Sequence, residues 1–177
     1  MDSTLQRVQE AIEAATGGMS AQQLVQHPEG KWSAAGILEH LSITFGGTAR
    51  LMRKCLEGGK PLASAPTLKH RLATLLVTGW GYFPTGRSAP EFSRPKGLDG
   101  ATALQTIREN LAAMDQGLAE CEQRFGAGVK IADHVVLGPL TIPQWRRFHL
   151  VHTRHHMKQI ARLRREGVAQ PSSAAGS

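Results

Sequence analysis

The sequence predicts an all-α protein built as a helix bundle, and three observations carry that prediction. Apolar residues recur at spacings of three and four in five stretches of the chain, which is the signature of one helical face. In one stretch Leu104, Ile107, Leu111, Met114, Leu118, Cys121 and Phe125 alternate those two steps without a break, giving a seam suited to helix-on-helix packing. Strand signals are almost absent.

The elements follow in order. Leu5, Val8, Ile12, Ala15, Met19 and Leu24 mark an amphipathic helix over 3–26, open to interruption at Gly17-Gly18. His27-Pro28-Glu29-Gly30 is a turn. Ser33 is the N-cap of a second helix whose apolar residues are Ile37, Leu38, Leu41, Phe45, Met52, Cys55 and Leu56. Gly58-Gly59 and Pro61 end it. Leu68, Leu72, Leu75 and Leu76 mark a short extra helix over about 67–79, followed by a long loop over 79–98 rich in Gly, Pro, Phe and Arg. A loop of that length in a small domain is expected to be either a lid or rim or a mobile surface connection. Asp99 opens the fourth helix, and Gly126 and Gly128 close it. A link over 127–140 leads to a last helix from about Thr141 to Glu166, with Pro143 in its first turn and Gly167 as its stop.

The 177 residues suggest one domain over 1–167 and a disordered tail over 168–177. Two cysteines, Cys55 and Cys121, exclude a disulfide scaffold and read as free thiols of a reducing compartment. Neither a signal peptide at Met1-Asp2-Ser3-Thr4 nor an apolar run of membrane-spanning length is visible, so the expected location is cytoplasmic, without a membrane partner. The net charge of +7 attracts anions in general. The arginines lack interleaved aromatics and no helix-turn-helix is visible, so nucleic acid is not the expected partner.

Four of the eight histidines fall in His149-Leu-Val-His152-Thr-Arg-His155-His156. With His152 at the origin of a helical wheel, Trp145 lies at about +20°, His156 at about +40°, Gln159 at about −20° and Phe148 at about −40°. His149 and His155 take opposite shoulders at about ±60°. Arg147, Arg154, Lys158 and Arg165 gather on the far side. The inner face thus carries two imidazoles one turn apart where leucines would suit. Burying both is costly unless each finds a partner, and one divalent cation satisfies both. Hydrogen bonds to carbonyls or to water would do so as well. In the second helix, His40 lies at the edge of the apolar stripe, and Thr44, one turn on, is nearer the interior and could donate to a ligand histidine.

Other chemistries lack their signatures. Thr153 follows His152, so there is no H-E-x-x-H. Neither a G-x-S-x-G elbow nor a Gly-rich phosphate loop occurs. The carboxylates do not repeat the Glu-x-x-His pattern of a di-iron bundle.

The run Lys31-Trp32-Ser33…Glu39-His40-Leu41 resembles the second-helix motif of DinB/YfiT-like proteins, and His152-Thr153-Arg154-His155-His156-Met157-Lys158-Gln159-Ile160 resembles their later H-x-x-H-H-x-x-Q-I motif. The stretch from His134 through Gly138-Pro139-Leu140-Thr141 to Trp145 is similar to one branch of that superfamily, with Val135 standing where a proline is usual. The resemblance spans roughly residues 5–165. It implies an up-down four-helix bundle that binds a divalent metal, zinc or nickel, through His40, His152 and His156. It implies a small-molecule substrate, a thiol-dependent S-transferase or isomerase activity with a low-molecular-weight thiol, and a homodimer. Gln159, His134, Trp145 and Trp32 are expected beside the ligands or lining the pocket, Gln159 orienting His156. The rival expectation is a metal-stabilised helical binding or regulatory module without catalysis, with the basic face of the last helix as its route to nucleic acid.

Overall fold

Asp2 starts helix α1 (Ser3–Thr16) by accepting a hydrogen bond from the Thr4 amide at 2.8 Å. The run expected over 3–26 breaks at Gly17-Gly18, where Gly18 adopts a φ of 74°. It resumes as α2 (Ala21–Val25), opened by a reciprocal Ser20–Gln23 capping box. Ser33 caps α3 (Ala34–Glu57) as expected. The computed structural model describes residues 1–82 and 89–168.

Helix α4 (Leu68–Thr74) passes into one π-helical turn over Leu75–Gly79. Its leucines do not form a core stripe. Leu68, Leu72 and Leu75 are exposed, whereas Thr74 and Val77 face inward. The buried threonine is satisfied because its hydroxyl donates to the Leu137 carbonyl at 3.2 Å. Residues 83–88 of the expected 79–98 loop lie outside the described residues, and Glu91–Ser93 form a 3-10 turn. Asp99 caps α5 (Gly100–Phe125) by accepting from the Ala101 and Thr102 amides.

The all-helical expectation needs correction between α5 and the last helix. Strands β1 (Lys130–His134) and β2 (Gly138–Thr141) pair antiparallel, with Ala132 opposite Leu140 and His134 opposite Gly138. The sequence disguises this hairpin. Proline and glycine are poor strand residues, but Pro139 needs no amide on a two-stranded ribbon, and Gly138 supplies a φ of 67°. Burial in β2 is continuous rather than alternating, so no period of two marks it.

Thr141 and Gln144 cap the last helix reciprocally, and α6 (Ile142–Val168) runs through Gly167 rather than stopping there. Of the tail expected over 168–177, Val168 is helical and 169–177 lie outside the described residues.

The structure is therefore mostly helical, with six α-helices and one small antiparallel sheet among the described residues. Helix α3 packs along α5 and α1 along α6; contacts of α1 with α5 and of α3 with α6 close the ring. Leu5, Leu38, Phe45, Met52, Ile107, Met114, Leu118 and Ile142 are among its fully buried side chains. Cys55 and Cys121 are buried free thiols, and burial pushes Cys121 up to about 11. Among the described residues no helix is long and apolar enough to cross a membrane.

Candidate metal centre

Three histidines from two helices converge in the interior. Helix α6 presents His152 and His156 one turn apart, as the wheel places them, and α3 brings His40 against them. His40 Nε2 lies 3.3 Å from His152 Nε2, and His156 Nε2 lies 3.0 Å from the same atom. One nitrogen from each ring falls within 4.8 Å of the others, and all three residues are buried.

The outer nitrogens of two rings decide what the inner ones can do. His40 Nδ1–H donates to the Ser93 carbonyl at 2.7 Å, and His156 Nδ1–H donates to Gln159 Oε1 at 2.8 Å. Each neutral ring has one proton, so both present an Nε2 lone pair to the common point. At most one proton, on His152, is left among the three facing nitrogens. Two nitrogens bound tetrahedrally at about 2.0–2.1 Å from one ion would be about 3.3–3.4 Å apart, close to the separations found. The donor set therefore fits a divalent cation.

Burial keeps these rings neutral. It lowers His40 and His156, the latter to about 4, and it holds His152 well below the ordinary histidine range, with the neighbouring rings adding to the effect. A metal needs the neutral form.

Flanking residues hold the geometry. Gln159 bridges the two neighbouring rings, accepting from His156 and donating through Nε2 to His155 Nε2 at 3.3 Å. Trp32 tilts against His40 with ring centroids 5.2 Å apart. Phe148 stacks on His152 at 5.4 Å, and His134 packs on the same phenyl ring at 4.3 Å. His134 and Trp145 meet each other one ring away from the cluster. Amides of Val136 and Leu137 donate to His134 Nδ1, and burial lowers that ring to about 4. Thr44 is half-buried, and its hydroxyl donates to Leu41 of its own helix rather than to a site histidine.

The shoulder positions are not equivalent. His155 is half-buried, but His149 is 1% exposed and receives a partner from α3, with Thr48 Oγ 3.0 Å from its Nε2. Burial lowers His149 to about 3. The α3 side of α6 is simply the deeper side, which one helix's periodicity cannot reveal.

Sequence reasoning also misses Glu39 and Ser93. The Glu39 carboxylate is buried and accepts three successive amides, from Lys96 at 2.8 Å and from Gly97 and Leu98 at 3.0 Å. That latch ties the loop after the 3-10 turn to the residue preceding His40, and the turn itself supplies the Ser93 carbonyl. Glu39 lies across the helical wheel from the apolar stripe of α3, so periodicity gives no signal for its burial. The Ser93 carbonyl has no sequence signal.

A family model for the DinB superfamily matches residues 4–160. The chain belongs to the DinB superfamily. Neither the curated proteins nor the solved structures include a significant match to it. The three histidines of this superfamily member can hold a metal ion.

Proposed function

We propose that the protein is a divalent-metal-dependent enzyme that acts on a small electrophile, with His40, His152 and His156 as the ligands. In this reading the four long helices are an up-down bundle of the DinB type, the ion is zinc or nickel, and the reaction is a thiol-dependent S-transfer or isomerisation. A homodimer in the cytoplasm belongs to the same reading. The observation that carries it is the convergence of three buried imidazole nitrogens that share at most one proton.

The chain's own residues have definite tasks. Ser93 and Gln159 fix the tautomers of His40 and His156, so that Nε2 is the free ligand atom in both. Phe148 and Trp32 hold the ring planes and exclude water from one side each. Glu39 anchors the loop that follows the 3-10 turn carrying the Ser93 carbonyl. Three protein ligands, rather than four, are typical of catalytic sites that keep a position open. When bound, the ion supplies Lewis acidity, depressing the pKa of a thiol or water that takes the open position.

The test is elemental analysis of protein purified without a histidine tag, beside His152→Ala. The expected result is about one zinc or nickel per chain in the wild type and almost none in the variant. Thiol-plus-electrophile screening of the loaded protein then reads the reaction. Equal metal content in both proteins overturns the ligand set. A loaded protein that chelation melts, but that turns over no thiol–electrophile pair, overturns the enzymatic reading in favour of a metal-stabilised binding module.

A further inference from the structure

A cleft of about 570 Å³ opens between α4 with its π turn and the start of α6, with β1 and β2 contributing to its walls. None of the three site histidines lines it. Its described lining residues include Arg71 and Lys130 but no Asp or Glu. Neither cation forms an ion pair among the described residues.

The polar groups around the cleft are unevenly spent. Thr74 and Thr78 donate their hydroxyl protons inward, to the Leu137 and Thr74 carbonyls. Gln144 Oε1 is taken twice, by the Thr141 amide and by Lys130 Nζ at 2.6 Å. The Thr67 amide donates to His70 Nδ1, so the neutral His70 ring carries its proton on Nε2. Donors therefore remain on Arg71, Lys130 and His70, while the strongest side-chain acceptor is already used. Lys130 is half-buried, and its pKa is lowered by burial and by the Arg71 charge. Two like charges held near one another, without a carboxylate, are relieved by an anion between them.

We propose that this cleft binds a phosphate-type dianion, gripped by the Arg71 guanidinium and the Lys130 ammonium, with His70 as a further donor. Two cations match two charges, and the planar fork of Arg71 suits the oxygens of a phosphate group. The site does not depend on the histidine cluster or on any metal there.

The test is a titration of the full chain with inorganic phosphate at constant ionic strength, followed through the backbone amide NMR signals of Gly79 and Lys130. Saturable shifts are expected. Arg71→Ala, on an exposed position of α4, and Lys130→Met each weaken binding about tenfold, whereas Lys130→Arg retains it. Singly charged acetate gives weaker, non-saturating shifts over the same range. Phenyl phosphate binding more tightly than inorganic phosphate identifies a phosphate carried on a small molecule, and equal binding identifies the free ion. His152→Ala binds phosphate as the wild type does. Absence of saturation in the wild type, wild-type affinity in both Arg71→Ala and Lys130→Met, or loss of binding in His152→Ala each overturns the proposal.

Discussion

Mild acid should unfold the metal-free protein, and the buried histidines set the size of the effect. Burial lowers His134 and His156 to about 4 and His149 to about 3. An unfolded chain titrates the same rings near 6.5. Because the folded values lie lower, the unfolded chain takes up the protons first. Stability is therefore fully present above about pH 6.5 and is lost as pH falls toward 4. Between pH 7 and pH 5 each ring contributes a loss of about 2 kcal/mol, and the three together about 6 kcal/mol. His40 and His152 act in the same direction. Native domains are stable by only about 5–15 kcal/mol, so this loss is decisive. The assay is urea unfolding of chelator-treated protein, followed by circular dichroism at half-unit steps of pH. Near pH 5.5 the stability should fall by about 3–4 kcal/mol per pH unit, corresponding to between two and three protons taken up on unfolding. A slope below about 1 kcal/mol per unit would show that the rings are already protonated, or solvated, in the folded state, and would refute the reasoning.

Three further outcomes follow from individual contacts. Gln159→Leu removes the acceptor that fixes the His156 tautomer, so metal affinity should fall about 10–100-fold with little change in the helical circular dichroism; competition with a chromophoric chelator measures it. Glu39→Ala strips the acceptor from three amides and should cost about 2–4 kcal/mol, with faster hydrogen exchange at Lys96, Gly97 and Leu98. Unchanged exchange at those amides would show that the latch is not formed in solution. Gly138→Ala forces a side chain into a positive φ and into the ring of His70, so thermal melting should reveal a loss of about 2 kcal/mol or more.

Features that depend on neighbours within one or two turns are legible in the order of residues alone. The caps at Ser33 and Asp99 follow from side-chain oxygens that accept first-turn amides, and the α5 seam and the placing of His152 and His156 on one face follow from the 3.6-residue repeat. The family motifs added His40, which periodicity left at the edge of its helix. How those faces meet is fixed only when the helices pack. It put His149 deeper than His155, because α3 covers only one shoulder of α6. It turned the leucines of α4 outward, because Thr74 finds a carbonyl on the hairpin. It paired β1 with β2 through residues that individually resist strands, and it brought Ser93 to His40 and the loop amides to Glu39. The contacts of His40, Thr74 and Glu39 reach more than fifty positions along the chain to backbone carbonyls or amides, which every residue carries, and the hairpin, though local, is likewise made by backbone pairing. No residue type announces them, so they become visible only when the chain has folded.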